Sequence, residues 1–403
     1  MYHLKEKAYL LLHSLEKAGY EAYLVGGCVR DEDLQKNPND YDITTNATPT
    51  EVIRICEHTI PTGLQHGTVT VVIEGDAFEV TTFRVESTYR DFRRPDSVQF
   101  VSSLKEDLAR RDFTFNAIAE DRHGRRHDYF GGISDIENRV IRTVGDPVER
   151  FQEDPLRIVR AARFAAKLGF QINHSCYEAM VQCAPLCIHL SVERVTAELQ
   201  KMWESPYPTL GLRLLFDTPL CNYLPPFHSW EVHQVKIKDV DGIRNPLFYW
   251  LYLLFLLDIK PVDIEERLTA FRLPNRIKKQ LLVAFQLIIK PIGATSMAWK
   301  EAMLTYDLST LFVVRQFYER IWMQEAVPTE EDLNQWYAEM PIHHVRELVI
   351  DGASLQKTVN RKAGAWLGRT LKALCRRVAL EEIANDEQVL LKVGYEIGKS
   401  DQA

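Results

Sequence analysis

Two aspartates spaced two residues apart, Asp40 and Asp42, offer the clearest chemistry in the chain. The segment around them is predicted to be a strand, so the two side chains share one face. Two carboxylates on one face can bind one or two Mg²⁺ ions, because hard cations prefer oxygen ligands and complete their shells with substrate phosphates. This points to phosphoryl or nucleotidyl transfer, although a D-x-D pair alone is also common at solvated turns and strand ends.

A glycine pair lies just upstream of these aspartates. Gly26 and Gly27 follow an apolar run, and Arg30 follows them. Bare glycine backbone lets N–H groups approach a triphosphate, and an arginine neutralises its charge. The combination favours nucleotidyl transfer. Glu79, on another predicted strand, is open to two interpretations, a third metal ligand or a solvated strand residue.

A second candidate for nucleotide binding lies in DLARRDFTFNAIAED, residues 107–121. Arg111 is placed to hold phosphate, and Asp112 is placed to accept a hydrogen bond from a ribose hydroxyl. The alternative is an acidic helix N-terminus with solvated arginines. Taken alone, the segment leaves both interpretations open.

The segment RFQEDPLRIVRAARFAAKLGF, residues 150–170, carries the most informative charges. Asp154, Arg157, Arg160 and Arg163 recur every three residues and therefore drift slowly around one face of a helix. A solvated face more often mixes charges at i, i+4, whereas here three arginines follow one aspartate. The arrangement predicts recognition of a nucleotide.

One Asp–Arg pair on this helix can select the nucleobase. A carboxylate accepts from an exocyclic amine and a guanidinium donates to a ring nitrogen, which matches the Watson–Crick edges of C and A. U and G present a carbonyl oxygen to the carboxylate, so lone pairs would face lone pairs. Each unpaired group in a desolvated site costs on the order of 1–3 kcal/mol. The helix is therefore predicted to prefer C and A.

The elements that must position these residues change character along the chain. Helical and strand patterns alternate at first, and helical patterns broken by Pro and Gly follow from about residue 135. The early pattern predicts a helix over 4–18, strands over 22–25 and 42–44, a helix from Pro49 with Thr48 as N-cap, and a hairpin at Gly75-Asp76.

Composition narrows the class of protein. With 403 residues, 46% hydrophobic and 26% charged, the chain is expected to be a soluble globular protein of more than one structural unit. No secretory signal is apparent, and the apolar run FYWLYLLFLL, residues 248–257, is predicted to be a buried helix. Cysteines without regular spacing, Cys176, Cys183 and Cys187 among them, are expected to be core thiols. A cytoplasmic location without a membrane partner follows.

Several motifs in order resemble those of the bacterial class II tRNA nucleotidyltransferases, the CCA-adding enzymes, within the superfamily related to DNA polymerase beta. These motifs are GGCVRD with DYD, RRDFTFNA, and EDPLR followed by RAARF. The resemblance implies an α+β fold, with a nucleotidyltransferase head of mixed sheet and helices followed by an all-α neck, body and tail. The implied boundaries are 1–136 for the head (catalytic palm), 137–204 for a nucleobase-recognising neck, 205–275 for the body and 276–403 for a tRNA-binding tail.

The resemblance also implies a role for each candidate residue. Asp40 and Asp42 would be catalytic and would bind Mg²⁺ in a two-metal site. The nucleotide would be held by the matching residues of the other motifs, Gly27, Arg30, Arg111, Asp154, Arg157, Arg160 and Arg163. Asp112 would lie near the ribose, Asp154 with Arg157 would be the amino-acid template for C and A, and Arg160 with Arg163 would support the triphosphate.

The implied reaction adds C, C and A in turn to a tRNA 3′ end from CTP and ATP without a nucleic-acid template. The tRNA 3′-OH attacks the α-phosphate and pyrophosphate leaves. The polar segment ESTYRDFRRPDS, residues 86–97, resembles a flexible loop that CC-only enzymes lack, so a CC-only product is disfavoured. An A-adding specialist stays open. A bacterial poly(A) polymerase is a second alternative, although PTGLQHGTVTV lacks the basic stretch of those polymerases.

The predicted partner is tRNA, contacted at its acceptor stem and 3′ end. A net charge of −7 argues against indiscriminate polyanion binding but allows a local basic stripe. The best candidate is residues 357–377, which contain no acidic residue and seven basic ones, Lys357, Arg361, Lys362, Arg369, Lys372, Arg376 and Arg377. A solvated basic helix is the alternative. A non-catalytic RNA-binding protein is disfavoured by the aspartates and Arg157, and the sequence leaves monomer and homodimer open.

Overall fold

The structure is a computed structural model that describes residues 3–64, 67–86, 98–230 and 236–400. The chain forms two compact units, one comprising Met1–Gly242 with Ala270–Arg272 and the other Ile243–Thr269 with Leu273–Ala403. The finer division at residues 136, 204 and 275 stays a prediction. Residues 87–97 of the predicted loop lie outside the described residues.

Eleven short strands occur in the described part of the first unit. They are β1 (Ala22–Val25), β2 (Ile43–Thr45), β3 (Thr59–Gly63), β4 (Thr68–Ile73), β5 (Asp76–Thr82), β6 (Arg84–Glu86), β7 (Val98–Phe100), β8 (Ile118–Glu120), β9 (Arg126–Asp128), β10 (Val140–Ile141) and β11 (Gln171–Ile172). Seven of them form one mixed sheet in the order β3-β4-β5-β2-β1-β8-β9. Neighbours are antiparallel except for β2 and β5, which run parallel.

Ten α-helices accompany these strands in the described part of the unit. They are α1 (Leu4–Lys17), α2 (Gly27–Asp33), α3 (Pro49–Ile55), α4 (Leu104–Ala109), α5 (Gly132–Glu137), α6 (Pro147–Glu153), α7 (Leu156–Leu168), α8 (His174–Cys183), α9 (Val192–Trp203) and α10 (Pro208–Asp217). The predicted helix, strand and N-cap positions of the first 60 residues are confirmed to within one residue.

The local sequence explains two of these boundaries. Helix α3 begins at Pro49 because Thr48 and Glu51 form a capping box, in which the Glu51 carboxylate accepts from the Thr48 N–H at 2.7 Å. The hairpin between β4 and β5 turns at Glu74 and Gly75, one residue earlier than predicted, because both residues adopt positive φ (47° and 87°).

The described chain beyond residue 245 is helical. Its helices are α11 (Pro246–Leu256), α12 (Ile264–Ala270), α13 (Asn275–Ile289), α14 (Ser296–Met303), α15 (Leu308–Arg320), α16 (Glu330–Glu339), α17 (Gly352–Val359), α18 (Ala365–Ala379) and α19 (Glu387–Ser400). The apolar run is confirmed as buried helix α11, in which Phe248 through Leu254 are at most 1% exposed. Among the described residues, no helix combines the length and the apolarity that crossing a bilayer requires.

The α+β class with a helical remainder is confirmed. The one addition is a parallel pair of two-residue strands, β10 and β11, inside the segment predicted to be an all-α neck. Cys176, Cys183 and Cys187 are buried free thiols, as predicted. Among the described residues, no cluster of three or more His, Cys, Asp and Glu side chains is arranged to hold a metal by itself.

Candidate active site

The two aspartates lie at the start of the central strand of the sheet. The strand begins at Ile43, so Asp40 and Asp42 precede it rather than lie within it. The alternation still holds, because both aspartates are exposed and Tyr41 between them is 3% exposed. The Asp42 carbonyl accepts from the Val25 N–H at 3.0 Å, which fixes Asp42 beside the end of β1 and the glycine pair.

Glu79 lies beside Asp42. Strand β5 pairs with β2 in the register Ile43↔Val80, which places residue 79 next to residue 42. The Asp42 side chain reaches solvent, yet surrounding protein partly desolvates its carboxylate. This desolvation, followed by the negative charges of Asp40 and Glu79, raises the pKa of Asp42 from 3.8 to about 6, against the opposing charge of Arg111. The structure therefore brings a third carboxylate to the site.

This arrangement fits a divalent cation. The donors of Asp40, Asp42 and Glu79 are carboxylate oxygens, which hard cations such as Mg²⁺ prefer. The negative charges of Asp40 and Glu79 repel that of Asp42 and contribute to its raised pKa. A bound cation would reduce this repulsion. Since no three such groups in the described chain enclose an ion, the remaining ligands would have to come from a substrate or from water.

The glycine pair makes room for arginine side chains. Gly26 has φ 80°, and a Cβ on it would lie 3.1 Å from Nη1 of Arg111. A Cβ on Gly27 would lie 3.6 Å from Nη2 of Arg30. The left-handed backbone therefore favours glycine at position 26, and a side chain there would crowd the Arg111 guanidinium.

Arg30 is buried rather than presented to solvent. Its side chain is 3% exposed, and it donates to Asp31 Oδ1 from Nε at 2.8 Å and to Asn116 Oδ1 from Nη1 at 2.6 Å. Its guanidinium also lies 5.6 Å from the ring centre of Phe164 on α7. Arg30 thus connects α2 to Asn116 and to Phe164 of α7. Its role as a nucleotide ligand stays a prediction.

Asn116 and Arg160 complete this network around Asp112. The Asn116 side chain donates to Asp112 Oδ1 at 3.1 Å, and Arg160 donates to Asp112 Oδ2 from Nε at 2.9 Å. Burial alone would raise the pKa of Asp112, but the Arg160 charge and the hydrogen bonds lower it to about 2. The ribose candidate and one triphosphate candidate are therefore direct partners.

Arg163 lies one turn further along α7. Its Nε is 2.5 Å from Glu198 Oε2, in a geometry too bent for a good hydrogen bond, and its guanidinium is 3.9 Å from the ring centre of Phe164. Glu198 is 4% exposed and also lies 3.9 Å from Nη1 of Arg160. One buried glutamate on α9 thus serves both arginines.

The two proposed base-reading residues lie at the N-terminal end of α7, where the Arg157 N–H donates to the Asp154 carbonyl at 3.0 Å. Pro155 between them is the N-cap residue, so it does not break the helix. Asp154 accepts from Arg194 Nη2 at 2.8 Å and from the Leu156 N–H at 3.1 Å. Partners other than Arg157 therefore fix the Asp154 carboxylate.

Arg157 is 7% exposed and has partners of its own. It donates from Nη1 to Glu153 Oε2 at 2.7 Å and to the Arg150 carbonyl at 3.1 Å. It also donates from Nη2 to the Arg110 carbonyl at 3.3 Å, which connects the N-terminal end of α7 to the RRD segment.

Sequence reasoning missed four residues of this site or left them open, Glu79, Asn116, Arg194 and Glu198. Asn116 lies inside the quoted RRDFTFNA motif, so that motif was the one available signal for it. Arg194 and Glu198 lie about 40 residues from the groups they hold, in an ordinary amphipathic helix. Only the packing of α9 against α7 shows their role.

Comparison with protein families matches three parts of the chain. Residues 22–142 match the family described as "Poly A polymerase head domain". Residues 169–231 match "Probable RNA and SrmB- binding site of polymerase A", and residues 245–393 match a family described as tRNA nucleotidyltransferase domain 2.

Curated relatives match over almost the whole chain. The CCA-adding enzyme of Geobacillus kaustophilus (strain HTA426) is 40% identical over 391 residues, which are 95% of this chain and 95% of the relative. The CCA-adding enzyme of Limosilactobacillus reuteri (strain DSM 20016) is 37% identical over 400 residues, covering 98% of this chain and 97% of the relative.

Solved structures agree with these relatives. The crystal structure of the Bacillus stearothermophilus CCA-adding enzyme in complex with CTP matches with a TM-score of 0.89 and 34% identity, covering 100% of this chain and 99% of that one. The Thermotoga maritima CCA-adding enzyme complexed with tRNA shares the fold, with a TM-score of 0.65 at 17% identity over 96% of this chain and 94% of that one. The chain belongs to the family of CCA-adding enzymes.

Proposed function

We propose that this protein is a CCA tRNA nucleotidyltransferase that adds C, C and A sequentially to the 3′ end of tRNA from CTP and ATP. The observation that carries the proposal is the placement of Asp42 beside the end of β1 and the glycine pair, with Arg111 packed against Gly26 and its charge acting on Asp42. Near full-length identity to CCA-adding enzymes supports it. The tRNA 3′-OH attacks the α-phosphate, the bond between the α and β phosphates breaks, and pyrophosphate leaves.

Asp40 and Asp42 would hold Mg²⁺, which when bound neutralises charge developing on the transferred phosphate. Arg111 is 19% exposed and lies beside Gly26, so its guanidinium charge would act on the phosphates of a nucleotide bound there. Arg160 and Arg163 bring two further positive charges to the same side of α7, each already anchored by a carboxylate. Anchored guanidinium groups lose little entropy when they bind phosphate.

Asp154 and Arg157 would select the base. Arg194 holds the Asp154 carboxylate from one side, and Glu153 with two carbonyls holds the Arg157 guanidinium. Side chains fixed in this way present one donor and acceptor pattern, so C and A are accepted without any nucleic-acid template.

The second unit would bind tRNA through part of the basic segment 357–377. Within the unit, Arg376 pairs with Glu301, Arg377 lies 3.3 Å from Glu382, and Arg361 donates to the Gly398 carbonyl at 3.1 Å. Four cations of the segment, Lys357, Lys362, Arg369 and Lys372, have exposed side chains. Contact would be to the phosphate backbone and the shape of the duplex, because an A-form major groove is too narrow to read.

The experiment that tests the function is incorporation into a tRNA that lacks its CCA end. Labelled CTP alone, ATP alone and both together are supplied with Mg²⁺, and the products are resolved at single-nucleotide resolution. Two additions with CTP, and a third only when ATP is also present, are expected. The Asp40→Ala variant is the matched control for contaminating activity.

The other outcomes separate the alternatives. Addition of ATP only to a tRNA that already ends in CC would identify an A-adding specialist. A long A tail would identify a poly(A) polymerase. Absence of incorporation by the wild-type protein, with tRNA binding retained, would identify a non-catalytic RNA-binding protein.

A further inference from the structure

Asp107, on α4, is a fully buried carboxylate that the site described above does not use. Its side chain has 0% exposure, and five groups surround its two oxygens. Oδ1 accepts from Arg110 Nε at 2.9 Å, from Arg110 Nη2 at 2.8 Å and from the Arg84 N–H at 3.3 Å. Oδ2 accepts from the Thr44 hydroxyl at 3.2 Å and from Arg111 Nη2 at 3.4 Å.

The two carboxylate oxygens of Asp107 therefore have different sets of partners. Oδ1 is saturated by Arg110 and backbone, which fixes the carboxylate in the protein. Oδ2 contacts one residue of the central strand and one arginine of the RRD segment. Thr44 belongs to β2 and lies two residues after Asp42. Oδ2 of Asp107 therefore links β2 to Arg111.

Arg111 has few other restraints. Its Nη1 is packed against Gly26, and its Nε has no hydrogen-bond partner within the described residues. Without the Asp107 charge, the guanidinium would be drawn toward Asp42, the other carboxylate whose charge acts on it. An arginine paired with Asp42 would be withdrawn from an incoming phosphate and would compete with a cation.

We propose that Asp107 is a positioning residue, which holds the Arg111 guanidinium away from the Asp40–Asp42 pair so that its charge acts on the phosphates of the nucleotide. The buried carboxylate acts through Arg111 and contacts neither nucleotide nor tRNA. This inference rests on the proposed nucleotidyl-transfer function.

The test compares Asp107→Asn with the wild-type protein in steady-state CTP incorporation. Asparagine keeps the shape and one acceptor oxygen but removes the charge. We expect the KM for CTP to rise about tenfold, kcat to fall much less, the KM for tRNA to stay unchanged, and inhibition by pyrophosphate to weaken in parallel with CTP.

Glu120→Gln is the matched control, because Glu120 is a carboxylate of the same unit that is 1% exposed and pairs with Lys5 and Arg126. It should lower stability without changing the KM for CTP. An equal KM change in Glu120→Gln and Asp107→Asn would overturn the proposal, since general destabilisation would then account for both.

A double-mutant cycle with Arg111→Gln shows whether Asp107 acts through Arg111. In the Arg111→Gln background, Asp107→Asn should add almost nothing to the KM for CTP, whereas multiplying effects would overturn the proposal. If Asp107→Asn does not fold, Thr44→Val replaces it, because it removes only the hydroxyl that holds Oδ2. It should raise the KM about threefold, again only when Arg111 is present.

The same experiment separates this proposal from the proposed function. Wild-type protein that incorporates no nucleotide would refute the function. Wild-type protein that incorporates CTP, together with an Asp107→Asn variant that has an unchanged KM for CTP, would refute only the positioning role.

Discussion

Arg160 donates to one carboxylate oxygen of Asp112 through both Nε and Nη2, at 2.9 and 2.5 Å. The family resemblance predicts that these residues act on different parts of the nucleotide, Asp112 near the ribose and Arg160 at the triphosphate. Because they are ion-pair partners, a change in either residue alters the electrostatic environment and the orientation of the other. Their substitutions are therefore expected to affect stability as well as nucleotide binding.

Asp112→Asn should destabilise the protein in a pH-dependent way. The pKa of Asp112 is lowered to about 2 by Arg160 and hydrogen bonds that outweigh its burial. A lowered pKa in the folded state stabilises the protein fully above the unfolded value near 4, and this contribution is lost as the pH falls toward 2. The substitution should lower the free energy of unfolding by about 2 kcal/mol at pH 7, and the difference should become smaller below pH 4.

Urea unfolding of both proteins at pH 7, 4 and 3 measures this effect. Glu330→Gln, at an exposed position of α16, serves as a surface control without such a dependence. If the difference in the free energy of unfolding between Asp112→Asn and wild type stays constant from pH 7 to pH 3, the lowered pKa of Asp112 is contradicted.

Asp40→Ala and Asp42→Ala should each abolish incorporation while leaving tRNA binding intact. The carboxylates lie at the surface of the first unit, so their removal costs little stability, but it removes the oxygen ligands of the proposed cation. A fall in kcat of roughly 10³-fold or more is expected. Filter binding of tRNA provides the comparison, and parallel loss of binding would indicate misfolding instead.

Gly26→Ala should impair nucleotide binding beyond its effect on the backbone. A Cβ at this position would meet Arg111 Nη1 at 3.1 Å, and φ is 80°. Gly124→Ala is the control, because Gly124 has φ 79° but no atom within 4 Å of its Cβ position. Both variants should lose about 1 kcal/mol from backbone strain, and only Gly26→Ala should raise the KM for CTP, by about fivefold.

The two Gly variants are compared by thermal unfolding and by CTP kinetics. Equal KM values for Gly26→Ala and Gly124→Ala would show that Arg111 tolerates displacement. The glycine at position 26 would then be required for its φ angle alone.

Arg194→Ala should weaken base selection. Asp154 would lose its 2.8 Å partner, and a carboxylate free to rotate discriminates less between an amine and a carbonyl. The preference for CTP over UTP, measured as a ratio of kcat/KM values, is expected to fall roughly tenfold. Arg272→Ala is a suitable control, because it removes an exposed ion pair between Arg272 and Glu193, the residue that precedes Arg194 in sequence. An unchanged ratio would mean that Arg194 has only a structural role.

Glu79→Gln should raise the Mg²⁺ concentration needed for half-maximal activity. Glu79 adds negative charge beside Asp42, and fewer charged ligands bind a cation more weakly. A shift of about threefold to tenfold is expected, with kcat at saturating Mg²⁺ close to that of wild type. A magnesium titration after treatment with EDTA measures it, and Thr70→Val, on the neighbouring strand opposite Glu79, tests for effects of strand packing.

Much of the fold could be predicted because its signals are local. Thr48, Pro49 and Glu51 start α3 by their own capping chemistry, and the all-apolar run of α11 could only be buried. The turn between β4 and β5 lies one residue earlier than predicted, because Glu74 as well as Gly75 adopts positive φ. The short strands β10 and β11 were not predicted, since two residues carry no periodic pattern.

The sequence by itself determined the chemical groups of the site and their order along the chain. Asp40, Asp42, the glycine pair, the RRD segment and the charged start of α7 are recognisable because residue type and close spacing are properties of the chain alone. Local signals also predicted a head of alternating helices and strands followed by a helical remainder.

Tertiary structure decided which of these groups act on one another. Asp112 meets Arg160 across 48 residues, Asp154 meets Arg194 across 40, and Glu79 comes beside Asp42 only because β5 runs parallel to β2. Asp107 and Thr44, 63 residues apart, are joined in the same way. Such contacts depend on strand order and helix packing, so pairing and pKa follow from the folded chain, whereas the identity of the reacting groups does not.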